Sequence, residues 1–138
     1  MPGITLTLSG TPNPVLASKL SQEITALTAE VLGKQPSQTM VIVHFVDPAL
    51  WFINSQPLSI LGLNSFRLEI TVTDETTTLA QKSRYQTEIF NLLAERLGNL
   101  HRHSNVHIID VRASAYGYGG VPQAAKLWGT PGTYVDTK

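Results

Sequence analysis

The apolar positions of this chain follow two periods that alternate along its length. Ile4, Leu6 and Leu8 alternate with Gly3, Thr5 and Thr7, and Leu68, Ile70 and Val72 alternate with Arg67, Glu69 and Thr71. A period of two predicts a half-buried strand at each place. The period then lengthens: Leu16, Leu20, Ile24, Leu27 and Val31 are spaced by 4, 4, 3 and 4, which predicts the apolar face of a helix. Ile89, Leu92, Leu93 and Leu97 predict a second helix of the same kind. Pro14 suits a first helical turn, and Gly33 and Gly98 stand where a left-handed C-cap glycine belongs. Residues 41–46 and 106–111 are nearly unbroken apolar runs, which predict strands covered on both faces.

These elements occur twice. Residues 23–33 read EITALTAEVLG and residues 88–98 read EIFNLLAERLG, with Glu23/Glu88, Ile24/Ile89, Leu27/Leu92, Ala29/Ala94, Glu30/Glu95, Leu32/Leu97 and Gly33/Gly98 identical at an offset of 65. At that offset Val41–Val46 falls on Val106–Val111, and with a shift of one residue Pro2–Leu8 falls on Phe66–Val72. Each half is therefore strand, helix, strand, and a parallel pair joined this way crosses over right-handedly. The expected fold class is α/β (α+β): duplicated β-α-β units forming a four-stranded mixed sheet with two helices on one face. One domain is expected over residues 1–138, with pseudo-repeats 2–47 and 66–112 and a C-terminal hairpin or tail over 113–138. Residues 47–65 contain Pro48, Asn54, Pro57 and Gly62 and predict a loop with a short excursion. Two helices cover only one sheet face, so the other is expected to meet another subunit.

Composition narrows the function. Hydrophobic residues make up 42% and charged residues 14%, below the usual ~25%, which fits extensive buried surface. Lys plus Arg and Asp plus Glu are 10 each, so no basic stripe supports nucleic-acid binding. There is no cysteine to form disulfides or thiolate metal sites. No apolar stretch approaches the ~20 residues that span a bilayer, and the N-terminus has neither the charge nor the apolar run of a signal peptide. A soluble, cytoplasmic protein that binds neither membrane nor nucleic acid is the expectation.

Pro2 is the first candidate for chemistry. Initiator methionine is normally removed before a small residue, which would leave Pro2 as an N-terminal secondary amine. Such an amine is a base when an apolar pocket and a nearby cation bring its pKa towards neutrality. Alternatively, Pro2 simply starts a strand, where its missing N–H does no harm. Arg112 ends the last strand, where it either binds a carboxylate bidentately or stays at the surface. His101, His103 and His107 lack a carboxylate at a set spacing, so a solvated turn is favoured over a metal site. Gly117-x-Gly119-Gly120 follows a last strand and does not open a helix, so it is not a dinucleotide loop. Trp51-Phe52 is expected to pack as a loop.

The order of these features resembles the tautomerase superfamily. It resembles most the branch of macrophage migration inhibitory factor. The resemblance lies in the Met-Pro strand start, Leu32-Gly-Lys-Gln-Pro36, the Pro57–Phe66 segment, Leu92-Leu-Ala-Glu-Arg-Leu97, Val106–Val111 and Ala115-Tyr-Gly-Tyr-Gly-Gly120. The last of these is similar to the glycine-rich hairpin ending 4-oxalocrotonate tautomerase chains. The resemblance implies a homotrimer with a pocket at each subunit interface and cofactor-independent keto–enol tautomerisation of a small 2-oxo acid. It implies Pro2 as catalytic base and Lys34 as substrate-binding lysine, against the alternative of a helix-terminal lysine favouring the macrodipole. It implies Phe66 as an apolar pocket residue and Tyr116 and Tyr118 in a wall of the pocket, against plain packing. His107 stands where that branch has a tyrosine and Ile109 where it has an asparagine, so the substrate is expected to differ. With Phe66-Arg67 in place of proline in the second copy, one active site per chain is expected. Hydratase-type dehalogenation or decarboxylation, and a non-enzymatic trimeric scaffold, are the alternatives.

Overall fold

The computed structural model describes residues 2–128. In chain order the elements are β1 (Gly3–Ser9), α1 (Pro14–Leu32), β2 (Met40–Val46), β3 (Phe52–Ile53), β4 (Gln56–Pro57), α2 (Leu58–Leu61), β5 (Phe66–Thr73), α3 (Leu79–Leu97), β6 (Asn105–Val111), β7 (Gly117–Tyr118), β8 (Val121–Pro122) and α4 (Gln123–Trp128). The main sheet has the order β2-β1-β5-β6. β1 runs parallel to β2 and β5 parallel to β6, while β1 and β5 meet antiparallel. This is the duplicated strand–helix–strand arrangement expected from the repeat, with the first strands of the two units side by side at the centre.

The pattern of side chains explains the packing. Ile4, Leu6 and Leu8 of β1 and Phe66, Leu68, Ile70 and Val72 of β5 point to one face and are at most 1% exposed. Leu20, Ile24, Val31 and Leu32 of α1 and Tyr85, Ile89 and Leu93 of α3 meet them in one core. Each such apolar side chain contributes about 1.5–3 kcal/mol when fully buried. α1 starts at Asn13, whose side-chain oxygen accepts from the Leu16 N–H (3.1 Å), with Pro14 in the first turn as expected. α3 starts with a reciprocal cap between Thr78 and Gln81. Between the helices, Thr28 Oγ1 and Tyr85 Oη share a buried hydrogen bond of 2.8 Å. Burial pushes the Tyr85 hydroxyl up to about 12, with the Thr28 bond opposing the shift. Arg84 and Glu30, and Arg96 and Glu23, tie the helices together at the surface.

Two details differ from the sequence-based expectation. β2 and β6 are not covered on both faces of this chain, because they are the outer strands of the sheet. Val41, Val43, Phe45, Val106 and Ile108 pack against the core, while Met40, Ile42, His44, His107 and Ile109 stand exposed on the helix-free face. Gly98 has a positive φ of 69° like Gly33, but its ψ of 161° sends the chain off in a different direction from Gly33, whose ψ is 26°. Residues 47–65 do make a short excursion, in β3, β4 and α2. The expected terminal hairpin forms from β7 and β8, and residues 129–138 lie outside the described part of the chain.

Candidate active site

Gly3 of β1 pairs with Met40 of β2 and with Thr71 of β5. One step further along this register stands Pro2, opposite Val72. Pro2 is buried, and its carbonyl accepts from the Met40 N–H at 3.2 Å. A side chain at position 3 would press on Thr71 Oγ1, since an added Cβ would lie 3.3 Å from it. The head of β1 is thus enclosed by the starts of β1 and β2 and the end of β5.

Lys34 leaves α1 just after the Gly33 cap and comes to the same end of the sheet. Its ammonium donates to Thr76 Oγ1 at 2.9 Å, and Thr76 in turn donates to the Thr73 carbonyl at 2.5 Å, at the end of β5. Partial burial holds the Lys34 amine below the usual lysine range. Among the described residues this cation meets a hydroxyl and no carboxylate. Thr73 Oγ1 also bonds Tyr116 Oη at 2.8 Å, which ties the C-terminal hairpin to this end.

The hairpin is built by its glycines. Gly119 and Gly120 both have positive φ, 63° and 80°, as a two-residue turn of this hand requires. A Cβ on Gly117 would fall 1.8 Å from the Val121 carbonyl oxygen, so only glycine lets β7 and β8 approach. Ser114–Gly117 and Gly120–Pro122, Tyr116 among them, line a cavity of about 290 Å³.

The structure therefore brings Pro2, Lys34 and Tyr116 to one end of the sheet, with Arg112 one residue beyond β6 at that end and Tyr118 in the hairpin. It does not bring Phe66 there. Phe66 pairs with Leu8 at the opposite end of β1, is 1% exposed, and packs at 6.1 Å between ring centroids from Phe90. In this chain Phe66 therefore belongs to the core, because β5 runs antiparallel to β1 and its first residue lies far from Pro2. His107 sits mid-strand opposite Glu69, exposed on the helix-free face, so in a single chain it is apart from Pro2. Thr73 and Thr76 were not legible as site residues, since a threonine-rich run before a helix reads as a loop.

Other chemistries find little support. His101 Nδ1 accepts from the His103 N–H at 2.9 Å, a local turn, and among the described residues no three His, Asp or Glu side chains gather as a metal site. No described helix is long and apolar enough to cross a membrane.

No family model matches the sequence, and no curated protein sequence matches it. Solved structures do match the fold. The Q0 fused 4-OT, a wild-type symmetric trimer, superimposes with a TM-score of 0.78 at 12% identity, covering 90% of this chain and 98% of that one. Pt0534 inactivated by 2-oxo-3-pentynoate gives 0.77 at 13% identity, covering 89% and 98%. A macrophage migration inhibitory factor homologue from Prochlorococcus marinus gives 0.71 at 18% identity, covering 87% and 97%. This chain has the tautomerase-superfamily fold. In these three comparisons the tautomerase fold covers 87–90% of this chain. At these identities the likeness carries the backbone and not the side chains, so each residue of the tautomerase fold has to be judged on its own surroundings.

Proposed function

We propose that this chain is a cofactor-independent keto–enol tautomerase for a small 2-oxo acid, active as a homotrimer, with the imino nitrogen of Pro2 as general base. The observation that carries this is a buried proline at the head of β1 with a half-buried lysine cation, bound among the described residues to a hydroxyl, at the same end of the sheet. Removal of Met1 exposes the nitrogen as an amine. Burial and the Lys34 charge both disfavour its protonated form, so it is a base near neutral pH. The nitrogen takes a proton from the carbon beside the substrate carbonyl, the electron pair moves into the enolate, and the proton returns at the other end of the enol. Lys34 holds the substrate carboxylate, with Arg112 and Tyr116 at the edge of the same region.

Three further observations support this reading. The fold is shared with 4-OT proteins, among them symmetric and asymmetric trimers. The exposed Ile42, His44, His107 and Ile109 on the helix-free face are what a neighbouring subunit would cover. Asp110, opposite Val72 at the Pro2 end, is bound by Lys82 at 2.5 Å and so is not offered to orient a water, which disfavours hydration chemistry.

The test is turnover of phenylenolpyruvate by wild type and Pro2→Ala, with oligomeric state followed by light scattering. The expected result is a fall of about 10²–10⁴-fold in kcat/KM with an unchanged trimer. Unchanged turnover in Pro2→Ala removes the mechanism.

A further inference from the structure

The duplication gives the sheet a second end built like the first. There Arg67 and Asn105 are paired at the starts of β5 and β6, as Gly3 and Met40 are at the starts of β1 and β2. Phe66 fills the place that corresponds to Pro2, so no amine stands at this end. Residues after β2 fold back over it, and Trp51, Phe52 and Ile53 close a cavity of about 230 Å³ whose remaining wall includes Arg67, His103 and Asn105.

The polar atoms of this cavity are incompletely matched. Among the described residues the Arg67 guanidinium gives one hydrogen bond, from Nη2 to Glu69 Oε2 at 2.7 Å, out of five N–H donors. Its side chain is 53% exposed. Asn105 Oδ1 is buried and has no hydrogen-bond partner among the described residues, while the amide nitrogen reaches His103 Nδ1 at 3.3 Å. A buried polar atom without a partner is destabilising, and a ligand that satisfies it recovers that cost. The cavity thus offers a cation with spare donors and an orphaned acceptor on neighbouring strands, about 4.8 Å apart, beside an apolar wall.

We propose that this second end is a binding site for a 2-hydroxy acid with an apolar body. The carboxylate meets the unused donors of Arg67, the hydroxyl donates to Asn105 Oδ1, and the apolar part lies against Trp51 and Phe52. With phenylalanine in the place of proline, the site binds without turning its ligand over. It uses residues other than those of the Pro2 end, but Arg67 and Asn105 lie on the same helix-free face as His107, so the site is read on the homotrimer proposed above.

The experiment titrates mandelate into the full-length protein carrying Trp128→Phe, which leaves Trp51 as the reporting indole. Saturable quenching of Trp51 fluorescence is expected. Arg67→Gln should weaken it roughly ten-fold or more, as loss of a charge-assisted bond does. Phenylacetate, which is mandelate without the hydroxyl, should bind more weakly than mandelate. Asn105→Leu should abolish that preference while retaining phenylacetate binding, which separates a ligand contact from a folding defect. Pro2→Ala should leave mandelate binding unchanged. Equal affinity in Arg67→Gln, loss of binding in Pro2→Ala, or the absence of any saturable change overturns the proposal.

Discussion

At one end of the sheet the chain has Pro2-Gly3, Gly33-Lys34 and Met40; at the other, the repeat places Phe66-Arg67, Gly98-Asn99 and Asn105 at the corresponding positions. The backbones are alike, with paired strand starts and a positive-φ glycine after each helix. The side chains have parted company. At the first end a lysine cation bonds a threonine hydroxyl, and at the second Asn64 closes the turn by donating to the Leu97 and Gly98 carbonyls. Of the positions that still match, Ile24/Ile89 and Leu27/Leu92 face the core or its margin, where volume and polarity are fixed by packing, while Glu30/Glu95 stand at the surface. Chemistry has been free to diverge at the strand ends, because the sheet does not depend on which residue begins a strand. The helix pair shows the same principle inside the core: Tyr85 stands where the repeat has Leu20, and Thr28 where it has Leu93, and these two polar replacements satisfy each other.

After Pro2→Ala, the largest expected effect that separates the two ends is at Lys34. Lys34→Met should lower kcat/KM on a carboxylate substrate about 10–100-fold, the cost of losing one charged contact, whereas Asn99→Gly at the corresponding position should leave it unchanged. Thermal stability of Lys34→Met at neutral pH should not fall. The folded-state pKa of Lys34 is lowered by burial, so folding is opposed while the amine is charged and the opposition fades as pH rises. A loss of turnover matched by an equal loss of folded protein would contradict this.

A smaller effect is expected at the diverged helix pair. Tyr85→Phe should cost about 1–2 kcal/mol in denaturant unfolding, through the lost bond and the partner it leaves behind. The Tyr85 hydroxyl is raised to about 12 when folded, against about 10 for the unfolded side chain, so its stabilising effect is complete below pH 10 and lost between pH 10 and 12. Wild type should therefore lose stability over that interval more steeply than Tyr85→Phe. Parallel alkaline profiles for the two proteins would place the titrating group elsewhere.

Periodicity and the repeat made the sheet, both helices, Pro14 in the first helical turn and the Gly33 cap legible, because each rests on local sequence. Strand order at the edges was less so. The apolar runs of β2 and β6 were read as doubly covered, and within one chain their second face is open, since a run of Val and Ile does not say what covers it. For Phe66, apolar character and position before a strand agree equally with a pocket and with the core, and the antiparallel β1–β5 pairing sets it away from Pro2 within the chain. Thr76 was invisible for a different reason. Its role comes from a contact with Lys34 across 42 residues of sequence, which no local pattern carries.

The claim on which the functional reading rests is that Pro2 presents a free, unprotonated nitrogen. 2-Oxo-3-pentynoate, which inactivates the structurally similar Pt0534, measures this directly when the labelled protein is digested and its N-terminal peptide weighed. Expected is one adduct per chain, carried by a peptide that begins at Pro2, with loss of tautomerase activity in proportion to labelling. An N-terminal peptide that still carries Met1, or a free Pro2 that stays unlabelled under these conditions, contradicts it.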